Sequence, residues 1–153
     1  MIQALVLAAT MAMSPVQSGN DWRAIAFHDN WIKAIDASGV RATGSERIFW
    51  LSTYYREVQD DGTRYSVDRY KIECNRETIS ILHMTDYNDG GSSIFSGAGD
   101  STDPIVPGSV AADYMAAVCH NDWPETTPVD SLKTFLQVAR ATFEDMAAED
   151  AGR

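Results

Sequence analysis

Basic residues are scarce in this chain of 153: 12 lysines and arginines stand against 22 aspartates and glutamates, a formal net charge of −10. A protein of that sign repels phosphate backbones, so neither nucleic-acid binding nor adhesion to anionic lipid is expected. Cysteine is rarer still, with only Cys74 and Cys119. No C-x-x-C or H-x-x-x-H pair occurs, and His120 beside Cys119 has no companion at ligand spacing, so neither metal nor cofactor is expected. The three histidines, His28, His83 and His120, lie apart from any nucleophile in sequence. Catalysis would need the fold to bring a Ser or Asp within hydrogen-bonding reach of one of them in a cleft. No stretch reaches the ~20 apolar residues of a membrane-spanning helix.

Apolar residues make up 44% of the chain and charged residues 22%, enough for an ordinary core in one domain. The N-terminus opens with an apolar run, Ile2 to Met13, followed by Pro15 and small residues before Gly19. That pattern leads us to expect an export leader over residues 1–18, with a first core helix or hydrophobic arm as the alternative. No cysteine follows the run, so a lipid anchor is not expected.

From Trp22 the pattern turns to β. "WRAIAFHD" and "NWIKAID" read as short strands, and "ERIFWLSTYYREVQ" is the strongest strand signal by its aromatic and β-branched content. Asp60-Asp61-Gly62 marks a hairpin turn before "TRYSVDRYKIEC". There the alternation places Tyr70, Ile72 and Cys74 on one face and Arg69, Lys71 and Glu73 on the other. "TISILHMTDY" supplies a further strand. "ASGVRATGS" and the long "NDGGSSIFSGAGDSTDPIVPG" read as loops by their Gly, Ser and Asp content. Ser109 is a natural cap for a helix over "VAADYMAAVC". The acidic C-terminal segment 124–153 ends in an amphipathic helix with Leu132, Phe135, Leu136, Ala139, Phe143 and Met146 on one stripe, opened by Asp130 as cap. That stripe either covers the sheet or faces a partner.

An exported chain meets an oxidising compartment, which favours a Cys74–Cys119 bridge; two buried thiols, or a metal or catalytic thiol, are the alternatives. Tyr54, Tyr55 and Trp123, together with the Gly/Ser-rich stretch, form a candidate interaction surface, because aromatic side chains dominate interface energetics.

The ordered segments "DWRAIAF", "WIKAID", "RIFWLSTYY", "YKIECNRETI" and "IVPGSVAADYMAAVC" resemble the surface-adhesin protein E family of Gram-negative bacteria. The matching positions are Trp22, Asp36, Trp50, Cys74, Arg76, Pro107, Gly108, Ser109 and Cys119, within roughly residues 21–123. The resemblance implies an exported domain over residues 19–123, periplasmic or at the cell surface, with its two cysteines bridged. It also implies a binding role, since the family's named member is an outer-surface lipoprotein that binds host matrix and serum proteins. The expected fold is α+β, an antiparallel sheet of about five to six strands packed by one or two C-terminal helices. The expected function is a protein-interaction module without catalytic activity, adhesin-like or part of an assembly such as a homodimer. The alternative is a small-ligand-binding domain in which the Gly/Ser-rich stretch closes over the sheet, and after that a small hydrolase.

Overall fold

The computed structural model describes residues 21–152; the expected leader over residues 1–18 lies outside them. Strand β1 (Trp22–His28) pairs with β2 (Trp31–Asp36), and after a 3-10 turn at Ala37–Gly39 the short β3 (Arg41–Thr43) leads into β4 (Glu46–Tyr55). Strands β5 (Tyr65–Glu73), β6 (Thr78–Tyr87), β7 (Ser93–Ala98) and β8 (Thr102–Pro104) follow, then helices α1 (Val110–His120) and α2 (Leu132–Ala151). The sheet runs β1-β2-β4-β5-β6-β7 with every pairing antiparallel; β3 adds to β4 and β8 to β6.

Two helices cover the two faces. Consecutive strand residues point to opposite sides, and here both sides are apolar. Ile35, Phe49, Leu51 and Ile72 meet Tyr114, Ala117 and Val118 of α1. Ile32, Ala34 and Tyr54 point the other way and meet Phe135, Ala139 and Phe143 of α2. The C-terminal stripe therefore covers the sheet, with Leu132, Leu136 and Met146 flanking its buried residues. Trp22 stacks on Phe135 at a centroid distance of 6.3 Å, and its backbone bonds reciprocally with Val129 just before the helix.

Local chemistry sets the helix ends. The Ser109 hydroxyl accepts from Ala112 N–H, as the sequence leads one to expect. Gly108 before it has φ +78°, a conformation that glycine adopts without steric cost. At α2 the cap is Ser131, not Asp130: Ser131 Oγ accepts from Thr134 N–H, while Asp130 accepts from the Thr134 hydroxyl.

Cys74 and Cys119 form a disulfide, with Cα atoms 5.9 Å apart and a sequence separation of 45. It joins the end of β5 to the last turn of α1. Arg47 reinforces the junction by donating from Nε to the Val118 carbonyl at 3.2 Å.

Both segments read as loops contain strand. "ASGVRATGS" holds the 3-10 turn and β3, and the Gly/Ser-rich stretch holds β7 and β8. Composition hides them because β7 is paired through its backbone while most of its side chains stay exposed, so no apolar alternation is required. Gly99 marks where this chain crosses from β7 to β8: a Cβ there would lie 2.3 Å from the Ile81 carbonyl oxygen.

Two outcomes follow for stability. Replacing both cysteines by alanine releases a loop of about 45 residues in the unfolded chain and should cost about 4 kcal/mol, read as a lower urea midpoint. Phe135→Ala empties the buried centre of the α2 face and should cost about 3–5 kcal/mol in the same titration. A loss under about 1 kcal/mol would place α2 outside the cooperative unit.

Candidate functional site

The face covered by α1 continues past the helix as a polar and aromatic surface across β2, β4, β5, β6 and β7. Register puts Trp31, Lys33, Tyr55, Asp68, Asp86 and Phe95 on it, because Lys33 lies opposite Thr53, Leu51 opposite Asp68, and Asp86 opposite both Ser66 and Phe95. Lys33 Nζ donates to Thr53 Oγ1 at 3.0 Å and sits 5.1 Å from the Trp31 ring centroid. Asp68 is 8% exposed and accepts from the Ser66 hydroxyl at 2.8 Å and from Thr85 N–H at 3.3 Å.

Burial governs the titration of this surface. It pushes the Asp68 carboxyl above its ordinary value, partly offset by the Ser66 and Thr85 donors. It lowers Lys33, which the Asp68 charge partly restores. Tyr70 on the same face is pushed up to about 12, chiefly by burial.

Strand β7 closes the sheet at one end. Its outer backbone edge has no partner among the described residues, and Ile94 and Phe95 are 43% and 49% exposed. Residues 90–99 contain no charge and no proline, the usual guards of a sheet edge. The opposite edge, β1, is partly closed, since Trp22 bonds with Val129 and the Thr126 hydroxyl donates to the Ala24 carbonyl at 3.3 Å.

The residues singled out in the sequence separate into different places. Trp22 is core. Asp36 ends β2 and gathers the Ser38 hydroxyl, Gly39 N–H and Asp21 N–H on one carboxylate oxygen at 2.7, 3.2 and 3.4 Å, fixing where the chain enters the sheet. Trp50 is 38% exposed, on the face opposite α1, with the Arg69 guanidinium 5.8 Å from its ring centroid. Arg76 is exposed in the β5–β6 turn, and Pro107 and Gly108 are exposed ahead of the Ser109 cap.

Tyr54, Tyr55 and Trp123 do not form one surface. Tyr54 is 4% exposed beneath α2, Tyr55 points to the other face, and Trp123 lies past α1 against Arg23. Adjacent positions on a strand cannot share a side. The features missed are the bare β7 edge, whose available signal was its run without charge, and a cleft between the β6–β7 turn and α2, which had none because its residues are far apart in sequence.

One histidine gains a hydroxyl partner: His83 Nε2 lies 2.9 Å from Ser96 Oγ across β6 and β7. The contact is exposed, no carboxylate bonds the other ring nitrogen among the described residues, and Ser96 Oγ also lies 3.3 Å from Thr85 Oγ1. A nucleophile–base pair is present without the orienting group and cleft that acyl transfer uses. Among the described residues no three His, Cys, Asp or Glu side chains group as metal ligands, and no helix is long and apolar enough to cross a membrane.

Fold and surface together define a disulfide-stapled α+β domain with an aromatic face and, among the described residues, an unpaired sheet edge at β7. The chain belongs to the surface-adhesin protein E family, whose model matches residues 22–120. It is thus an adhesin-like binding protein of an exported, cell-surface class of Gram-negative bacteria. Two solved structures of Haemophilus influenzae protein E are similar to it, at TM-scores of 0.48 and 0.47 and identities of 14% and 13%. Each covers 69% of this chain, and 91% and 87% of those chains. Among curated proteins none matches the sequence.

The buried carboxylate yields a pH test. Because folding raises the Asp68 pKa, its neutral form favours the fold below the unfolded value, and that contribution is lost as pH rises through the folded value. Asp68→Asn removes this loss, so the variant should gain stability relative to the parent as pH rises above the ordinary aspartate value of about 3.9, in paired urea titrations. A difference that does not change with pH would show that the carboxylate titrates as in the unfolded chain.

Proposed function

We propose that the mature protein, released from a leader over residues 1–18, is an adhesin-like module that binds an extended segment of a protein partner along the outer edge of β7 and performs no chemistry of its own. The bare edge is the observation that carries this reading. A strand added there takes up the free backbone groups, and its alternate side chains fall beside Phe95 and Asp86 on the aromatic, acidic face. That face favours apolar and basic side chains in the segment. Family membership supports a role in adhesion, and the exposed His83–Ser96 contact without an orienting acid supports a role without catalysis.

Lysine at an edge blocks strand addition while leaving the sheet intact. Ile94→Lys and Phe95→Lys both alter exposed side chains, so stability should change by no more than about 0.5 kcal/mol. Surface plasmon resonance against purified matrix and serum proteins should show parent binding reduced at least about tenfold in the lysine variants. β7 amides should also gain hydrogen-exchange protection in the complex. Equal binding by parent and variants, or no binding by the parent, overturns the proposal.

A further inference from the structure

On the far side of the sheet from that aromatic face, a cleft of about 650 Å³ opens between α2, the ends of β4 and β5, and the turn at Asp89–Gly91. Its volume falls within the range that holds small organic ligands. Tyr54, Tyr65, Leu132 and Leu136 give it apolar walls, and Arg64, Lys133 and Arg140 give it a cationic rim. Against these three cations stands Asp89, the single acidic lining residue, so the cleft is locally positive in a chain of net charge −10.

The two arginines are already arranged for a carboxylate. Arg64 Nε and Arg140 Nη2 both donate to the same oxygen, Asp89 Oδ1, at 2.8 and 2.7 Å. Arg64 is held from behind by the Tyr55 and Arg56 carbonyls, which accept from Nη1 at 3.3 and 2.7 Å. Arg140 is held by the Tyr54 hydroxyl, which accepts from Nε at 3.2 Å. Arg64 Nη2, Arg140 Nη1 and Lys133 Nζ have no acceptor among the described residues. Asp89 is half-exposed on a turn, so swinging its side chain into water uncovers both guanidinium groups at small cost.

We propose that this cleft binds a small amphipathic anion, a carboxylate or sulfonate with an apolar body, whose acid group replaces Asp89 between Arg64 and Arg140 while its body lies on Tyr65, Leu132 and Leu136. The walls supplied by α2 lie beyond residue 120, where the family match ends, so the cleft is completed by a segment outside the matched region. It is separate from the β7 edge and does not depend on it.

The probe is 8-anilinonaphthalene-1-sulfonate, titrated by fluorescence into the folded full-length protein. Binding should be displaced by decanoate and not by decanol, and should weaken with added salt. Arg140→Gln and Lys133→Gln should each weaken it about tenfold. Asp89→Asn, which removes the internal competitor, should tighten it severalfold. That opposite sign separates the cleft from adventitious apolar patches, which none of these changes would alter. No probe binding, displacement by decanol as strong as by decanoate, or Asp89→Asn failing to tighten overturns the proposal. Should Arg140→Gln prove unstable in a thermal melt, the Lys133 and Asp89 variants decide the outcome. The lysine variants at Ile94 and Phe95 should bind the probe like the parent, so failure at one site is distinguishable from failure at the other.

Discussion

Strand β4 carries apolar side chains to both faces of the sheet, and the placing of everything else follows from that. Phe49 and Leu51 face α1, while Tyr54 faces α2, and Ser52 and Thr53 between them are also buried. A strand enclosed on both sides cannot slip by one residue, because a slip would exchange the two faces and strand Tyr54 in the α1 core. Its pairing with β2 and β5 is therefore fixed, and those strands in turn fix the outer ones. Polar groups at this depth need partners, and Ser52 finds one by donating to the Ser66 carbonyl at 2.9 Å.

The helices cover the sheet from β1 to β5, which leaves side chains on β7 exposed. There the sheet continues as a paired backbone with few buried side chains, and the chain carries neither the charges nor the prolines that close an edge. The basic residues that do occur are used locally. Arg47 ties α1 to the β3–β4 hairpin, and Arg64 and Arg140 meet across the α2 cleft.

Elements whose own side chains are buried were readable in advance. The alternation in β5 and the six-residue stripe of α2 each had to be apolar on one side, and the structure buries those sides. The strands at β3, β7 and β8 were not readable, because their stability comes from backbone bonds to a neighbour remote in sequence. For the same reason Tyr54-Tyr55 looked like one aromatic patch: adjacency in sequence suggested a shared surface, and strand geometry separates them. Asp130 and Ser131 both suit a helix cap, and in the fold Ser131 takes the backbone donor of Thr134 while Asp130 takes its hydroxyl.

Hydrophobic period and residue type are local properties, so the fold class and the family resemblance could be read from the chain alone, whereas the two cysteines only favoured a bridge that the fold then forms. Which strand forms the open edge, on which side each helix lies, and that Arg64, Asp89 and Arg140 meet emerge only in the folded arrangement. Those outcomes rest on contacts between residues far apart along the chain, and no local pattern records which distant partner a backbone edge or a guanidinium will find.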